Sequence, residues 1–204
     1  KSRPAFSQEI IDYCNEIQLP LFSTSWDTPF IDIMRIFSEI LLKNEHRETS
    51  LAAALKNAIY YPENEDSYLS PLESNGFFRD MNYTVLMISC HTYDSDSGKS
   101  YLEQLEKKIR YFMSKGIVYE EGKHLIVLFA GESVNDISQK LYDVCQNNSD
   151  VYVGIGTTVS QLTDIHRSDE TAFTAYQLTK TALPKNFLEY NKLGVYKLLA
   201  DIHN

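Results

Sequence analysis

One stretch, Tyr83-Thr84-Val85-Leu86-Met87-Ile88-Ser89-Cys90, constrains the fold more than any other part of this 204-residue chain. It is a strongly apolar run of strand length, and it ends in a polar loop from His91 to Ser100. Leu102, Leu105, Ile109 and Phe112 then follow a helical period, ended by Gly116. Ile117-Val118-Tyr119 and Leu125-Ile126-Val127-Leu128-Phe129 flank Glu120-Glu121-Gly122-Lys123, which reads as a hairpin. Ser133 opens a second helix, with Asp136 in its first turn and Val134, Ile137, Leu141, Val144 and Cys145 inward. Val151-Tyr152-Val153-Gly154-Ile155-Gly156 is a further strand. The order from 83 to 156 is therefore β-α-β-β-α-β, the ferredoxin-like or split βαβ arrangement. A helix over 167–183 with Ala172, Ala175, Tyr176 and Thr179 inward, stopped by Pro184, a short strand near 187–190 and a helix from 194 complete the pattern. The expected class is α/β (α+β), and that architecture implies no chemistry by itself.

The preceding residues read as mostly helical. Ile10, Ile11, Cys14 and Ile17 form a stripe with Ser7 as a candidate N-cap. Leu19-Pro20-Leu21-Phe22 is extended, because Pro20 bars helix there. Asp27 or Thr28 can cap a new helix, with Pro29 suited to its first position. From 29 to 44 that helix is unusually apolar. Phe30, Ile33, Phe37 and Ile40 make one stripe, and Ile31, Met34, Ile36 and Leu41 spread around it. A helix on the surface of a monomer needs only one apolar face. The excess predicts either full burial or a second face packed on a partner, and the partner is the favoured reading. Residues 45–60 continue helical through Leu51, Ala54, Leu55, Ala58 and Ile59. An acidic break over 61–66 and a brief helix through Leu69 and Leu72, closed by Gly76, lead into the strand at 83.

Charge and cysteine usage exclude several classes. With 28 Asp+Glu against 19 Lys+Arg the net charge is −9, which opposes wrapping of nucleic acid or a polybasic membrane anchor. Cys14, Cys90 and Cys145 are too few and too scattered for a disulfide framework or a zinc site, so three reduced thiols and a cytoplasmic location are expected. No apolar run reaches 18 residues. The start at Lys1-Ser2-Arg3-Pro4 suggests an excised fragment. The sequons at Asn82 and Asn147 carry no weight without evidence of secretion.

Candidate chemistry is sparse. Asp94-Ser95-Asp96-Ser97-Gly98 resembles the start of a calcium loop, but Gly98, Lys99 and Leu105 stand where a ligand, a glycine and a bidentate Glu are needed. The expected role is a polar β-to-α loop. Gly154-Ile155-Gly156-Thr157-Thr158-Val159 lacks the last glycine of a dinucleotide fingerprint and no helix opens directly after it, so the pair marks close packing of another backbone. His91, His124 and His166 stand in no metal-ligand spacing, and nothing assembles a nucleophile with a base. No catalytic residue, metal ligand or cofactor is expected.

The strand and helix order, with Val153-Gly154-Ile155-Gly156, then Leu162, Asp164-Ile165, Ser168 and Ala172, resembles the degenerate GGDEF-like domain of PucR-type (purine catabolism) bacterial transcription regulators. Leu193-Gly194-Val195-Tyr196-Lys197-Leu198-Leu199 is similar to the segment before that family's C-terminal helix-turn-helix. Leu19-Pro20-Leu21-Phe22, then Trp26-Asp27 and Pro29-Phe30, resembles the close of its N-terminal sensory domain. Genuine GGDEF enzymes make cyclic di-GMP with two Mg²⁺ ions held by carboxylates from the end of the first strand and from the GGDEF turn. Aligned by the hairpin, that turn falls on Glu121-Gly122-Lys123-His124-Leu125, so Lys123 and His124 stand in place of the acids. Ser89 and His91 take the approximate places of the metal Asp residues, and cyclase activity is not expected.

The resemblance divides the chain into the end of a sensory domain over 1–44, a helical connector over 45–80 and a GGDEF-like domain with a trailing helix over 81–204. It implies a non-catalytic sensory and dimerisation region, with a small-molecule metabolite effector and DNA contact only through a helix-turn-helix beyond Asn204. The residues expected at a homodimer interface are Phe30, Ile33, Met34, Phe37, Ile40 and Leu41. The rival reading is a nucleotide-binding or cyclase-like enzyme with relocated metal ligands.

Overall fold

The computed structural model of the chain describes residues 6–23, 27, 29–145, 150–181 and 186–196. Two units are distinguished, Lys1–Glu45 and His46–Asn204. In the first, α1 spans Gln8–Glu16 and buries Cys14. Ser7 holds the N-cap position with extended backbone, but its hydroxyl caps nothing, and its carbonyl accepts from the Ile10 and Ile11 amides instead. Helix α2 spans Phe30–Tyr60, across the division, and opens one residue later than expected. Pro29 precedes it, and its carbonyl accepts from the Asp32 and Ile33 amides. Thr28, a candidate cap, lies outside the described residues, as do Trp26, Asn147 and Pro184.

The second unit is a mixed α+β fold. The latter half of α2 buries Leu51, Ala54, Leu55, Ala58 and Ile59, the stripe expected of a one-faced helix. A 3-10 turn at Glu65–Ser67 leads to α3 (Leu69–Ser74), and Gly76 follows at φ +84°, a left-handed position that glycine takes without a Cβ clash. Then come β1 (Tyr83–Cys90), α4 (Asp96–Phe112), β2 (Gly116–Glu121), β3 (His124–Ala130), α5 (Val134–Cys145), β4 (Val151–Ile155), α6 (Ile165–Thr181) and β5 (Phe187–Glu189). The β-α-β-β-α-β order holds from β1 to β4. Gly116 begins β2 rather than ending α4, and the hairpin turn shrinks to Gly122 and Lys123, because Glu120 and Glu121 stay in the ladder opposite Leu125 and His124. Beyond β5, Gly194–Tyr196 forms a 3-10 turn where the final helix was expected to open, and the rest of that expected helix, from 197 onward, lies outside the described residues.

The sheet runs β2-β3-β1-β4-β5, antiparallel throughout except for the parallel pair β4–β5. All eight residues of β1 are buried, so both faces of this central strand are covered. Val85 and Met87 face the latter half of α2 and α6, with Tyr119, Ile126 and Leu128 beside them. Leu86, Ile88 and Cys90 face α4 and α5, against Leu102, Leu105, Ile109, Ile137 and Leu141. This period-two division turns a uniformly apolar run into a shared wall between two cores.

Gly154 and Gly156 explain how α6 sits so close to β4. A Cβ at Gly154 would lie 2.3 Å from the Ala172 carbonyl oxygen, and one at Gly156 would lie 2.0 Å from that of Ser168. The Ser168 hydroxyl accepts from the Val85 amide at 2.8 Å, stitching the helix to β1. At the opposite edge, Arg110 of α4 donates through Nη2 to the Val118 carbonyl of β2 at 2.9 Å and pairs with Glu106 at 2.8 Å. Among the described residues, no helix is long and apolar enough to cross a membrane.

Candidate functional site

Register places Glu121, His124, Ser89 and Tyr152 in one row across β2, β3, β1 and β4. Strand alternation turns this row toward the α6 face. Helix α6 lays Tyr176 over it, and Lys180 follows one turn later on the same side. The Tyr176 hydroxyl stands 2.8 Å from Ser89 Oγ and 3.1 Å from His124 Nε2, so one phenol joins two strands. The His124 ring meets Tyr176 edge-on, with centroids 5.1 Å apart.

A cavity of about 390 Å³ opens beside this row, lined by the end of β1, the β2–β3 turn and the last turns of α6. Gly122 sits in the turn at φ +59°, as the first position of a two-residue hairpin requires, and a Cβ placed there would meet open space. Lys123, next in the turn, pairs with Asp94 at 2.7 Å, and this partner holds the Asp94 carboxyl below the ordinary carboxylate range. The Lys180 ammonium lies 4.5 Å from the centre of the Tyr176 ring and 5.7 Å from that of Tyr152. Burial, and then the charge of Lys180, push the His124 imidazole below the usual histidine range. His91 packs edge-on against Tyr152, with centroids 6.4 Å apart.

The loop after β1 is a capped helix start. Ser95 Oγ accepts from the Gly98 amide at 3.1 Å, and the Asp94 carboxylate is engaged by Lys123. Among the described residues, no group of three or more His, Cys, Asp or Glu side chains is gathered for a metal. Glu121 turns away from the cavity. It accepts from the Tyr60 hydroxyl at 2.6 Å and pairs with Lys56 at 3.8 Å.

The structure thus brings together Ser89, His91, Lys123 and His124, which the hairpin alignment had singled out from separate parts of the sequence. It adds Tyr176 and Lys180, which sequence reasoning missed. Their i, i+4 spacing on a helix with an inward Tyr176 was visible, but nothing local tied that face to residues 52 and 87 positions away. In the first unit, Phe30, Met34, Phe37, Ile40 and Leu41 are exposed and Ile33 is half-buried. Ile31, Ile36 and Leu42 are exposed as well, so apolar side chains surround most of that half of α2.

A GGDEF-like domain family model matches residues 63–178. Among solved structures, the regulator of polyketide synthase expression from Bifidobacterium adolescentis aligns at 16% identity with a TM-score of 0.47, covering 74% of this chain. The chain spans 58% of that protein's length. No curated protein matches it by sequence.

Proposed function

The chain belongs to the GGDEF-like domain family, and from that premise we propose that it is a non-catalytic regulatory module, the sensory and dimerisation region of a PucR-type transcription regulator. The observation that carries the reading is the composition of the cavity where β1 ends and the hairpin turns. A cyclase must hold Mg²⁺ there with hard oxygen ligands. The cavity offers one carboxylate, Asp94, already bonded to Lys123, together with the Lys180 ammonium and two imidazoles. These residues do not fit Mg²⁺, since a cation entering would meet two ammonium groups and would have to displace one of them from its only acid partner in the cavity. Ser89 and His124 are engaged by the Tyr176 hydroxyl, and Glu121 by Tyr60 and Lys56.

Self-association is supported by the first unit. The exposed apolar residues from Phe30 to Leu42 are an unusual surface for a helix facing water, and burying them against a second copy removes that cost. In this reading a metabolite biases the association, and DNA contact falls to a helix-turn-helix outside the matched region. Sedimentation velocity at tens of micromolar tests the dimer: a concentration-dependent dimer is expected, and monomer throughout refutes this role for α2. Incubation with GTP and Mg²⁺ tests the rest. No turnover is expected, and formation of a cyclic dinucleotide would overturn the reading.

A further inference from the structure

We propose that the cavity beside Ser89, His124 and Tyr176 is a metal-independent binding site for a small organic anion, with Lys180 and Lys123 contacting its carboxylate or phosphate group. This rests on the reading that the cavity is not a Mg²⁺ site.

The first argument is local charge. The chain carries −9 overall, yet the cavity sets two ammonium groups, Lys123 and Lys180, against the single carboxylate of Asp94. The second is the state of Lys180. Among the described residues it has no carboxylate partner, and its ammonium is held over the faces of Tyr176 and Tyr152. An ammonium fixed by rings and left without an acid is preorganised for an incoming anion, because little ordering remains to be done on binding. The third is that Lys123 can be recruited cheaply. Its pair with Asp94 is on the surface, with the side chains 60% and 79% exposed, and such pairs are weak.

Size and lining point to a small ligand with a flat body. The volume of about 390 Å³ lies at the low end of small-molecule pockets. Tyr93, His91, His124 and Tyr176 supply ring faces and edges around it, while Gly122 leaves the hairpin side open. Tyr176 can reorient its hydroxyl toward an acceptor, since Ser89 and His124 each can serve as its partner.

The test is a two-dimensional ¹⁵N–¹H NMR titration of the full chain in EDTA, with pyrophosphate in one series and malonate in another. Saturable shifts are expected at residues 90–94, 122–124 and 176–180, with either probe alone sufficing and the preferred probe reporting phosphate or carboxylate chemistry. Lys180→Gln is expected to weaken binding about tenfold, and Lys123→Gln several-fold. Both side chains are exposed, so an otherwise unchanged spectrum verifies the fold. In the malonate series, whose probe binds Mg²⁺ only weakly, replacing EDTA by Mg²⁺ should leave affinity unaltered. The inference is overturned by no saturable shift with either probe, by shifts elsewhere on the surface, by undiminished binding in Lys180→Gln, or by a requirement for Mg²⁺. A chain that binds neither anion and does not turn over GTP refutes this site alone, whereas turnover of GTP refutes the proposed function beneath it.

Discussion

Substituting Gly154 by Ala tests the packing that positions the cavity. The new Cβ would stand 2.3 Å from the Ala172 carbonyl oxygen, 2.4 Å from the Tyr176 nitrogen and 2.6 Å from the Tyr176 Cβ. Ordinary contact begins near 3.4 Å, and all three obstacles are backbone or backbone-attached, so no rotamer change relieves them. Helix α6 must retreat from β4 by about 1 Å, the difference between those distances. That helix buries Ile165, Ser168, Ala172, Ala175, Tyr176, Leu178 and Thr179. A gap of that width forfeits a quarter to a half of each dispersion contact across it. Overpacking of this kind costs 1–3 kcal/mol in most cores, and here the loss falls on a whole helix, so about 3 kcal/mol is expected. With a slope of roughly 2 kcal/mol per molar urea, the midpoint should fall by about 1.5 M. Gly122→Ala is the control. It meets open space and bears only the strain of φ +59°, about 1 kcal/mol or roughly 0.5 M. Equal midpoints for the two variants would refute the claim that close backbone approach is why glycine stands at 154.

Three further outcomes follow from the geometry. Tyr176→Phe removes the hydroxyl shared by Ser89 and His124, leaves Ser89 buried without that partner, and should cost about 1–2 kcal/mol by urea denaturation. Burial, with Glu121 and then Glu170 nearby, raises the Asp169 carboxyl to about 6. Its folded value lies above its unfolded one, so its stabilising contribution is full below the unfolded value and is lost as pH rises through about 6. Asp169→Asn should therefore stabilise the protein by about 2 kcal/mol above neutral pH, and thermal melts should show that gain shrinking as pH falls toward the unfolded value. Ile33→Asp combined with Phe37→Asp should convert dimer to monomer in sedimentation while leaving the cooperative melt of the second unit in place, because neither residue belongs to its core.

The strand-rich half was legible because its signals are local. An eight-residue apolar run, a hairpin marked by glycine, and a glycine pair closing β4 each state their geometry within a few positions. The glycine pair was read as a place of close backbone approach, and the Ala172 and Ser168 carbonyls supply that backbone. Element ends were less legible. Glu120 and Glu121 look like turn residues by composition, yet pairing with β3 holds them in strand conformation, since an edge strand tolerates charge on its open side. The cavity itself was only half visible. Ser89, His91, Lys123 and His124 could be nominated by comparing the hairpin with a metal-binding one, but the partner that Ser89 and His124 share sits on α6, and only the sheet register brings it over them. The exposed half of α2 shows the converse. Its excess of apolar residues was plain in the sequence, and the fold leaves that excess facing outward.

Arg110 carries a consequence for how copies of this protein can meet. Strand β2 lies at the rim of the sheet, and its Val118 carbonyl would be free to accept a strand from another molecule. The guanidinium takes that acceptor, while Glu106 and Glu48 keep the guanidinium in place at 2.8 Å and 3.6 Å. The other rim, β5, is three residues long. Addition of a further strand to the sheet is thereby discouraged at both borders.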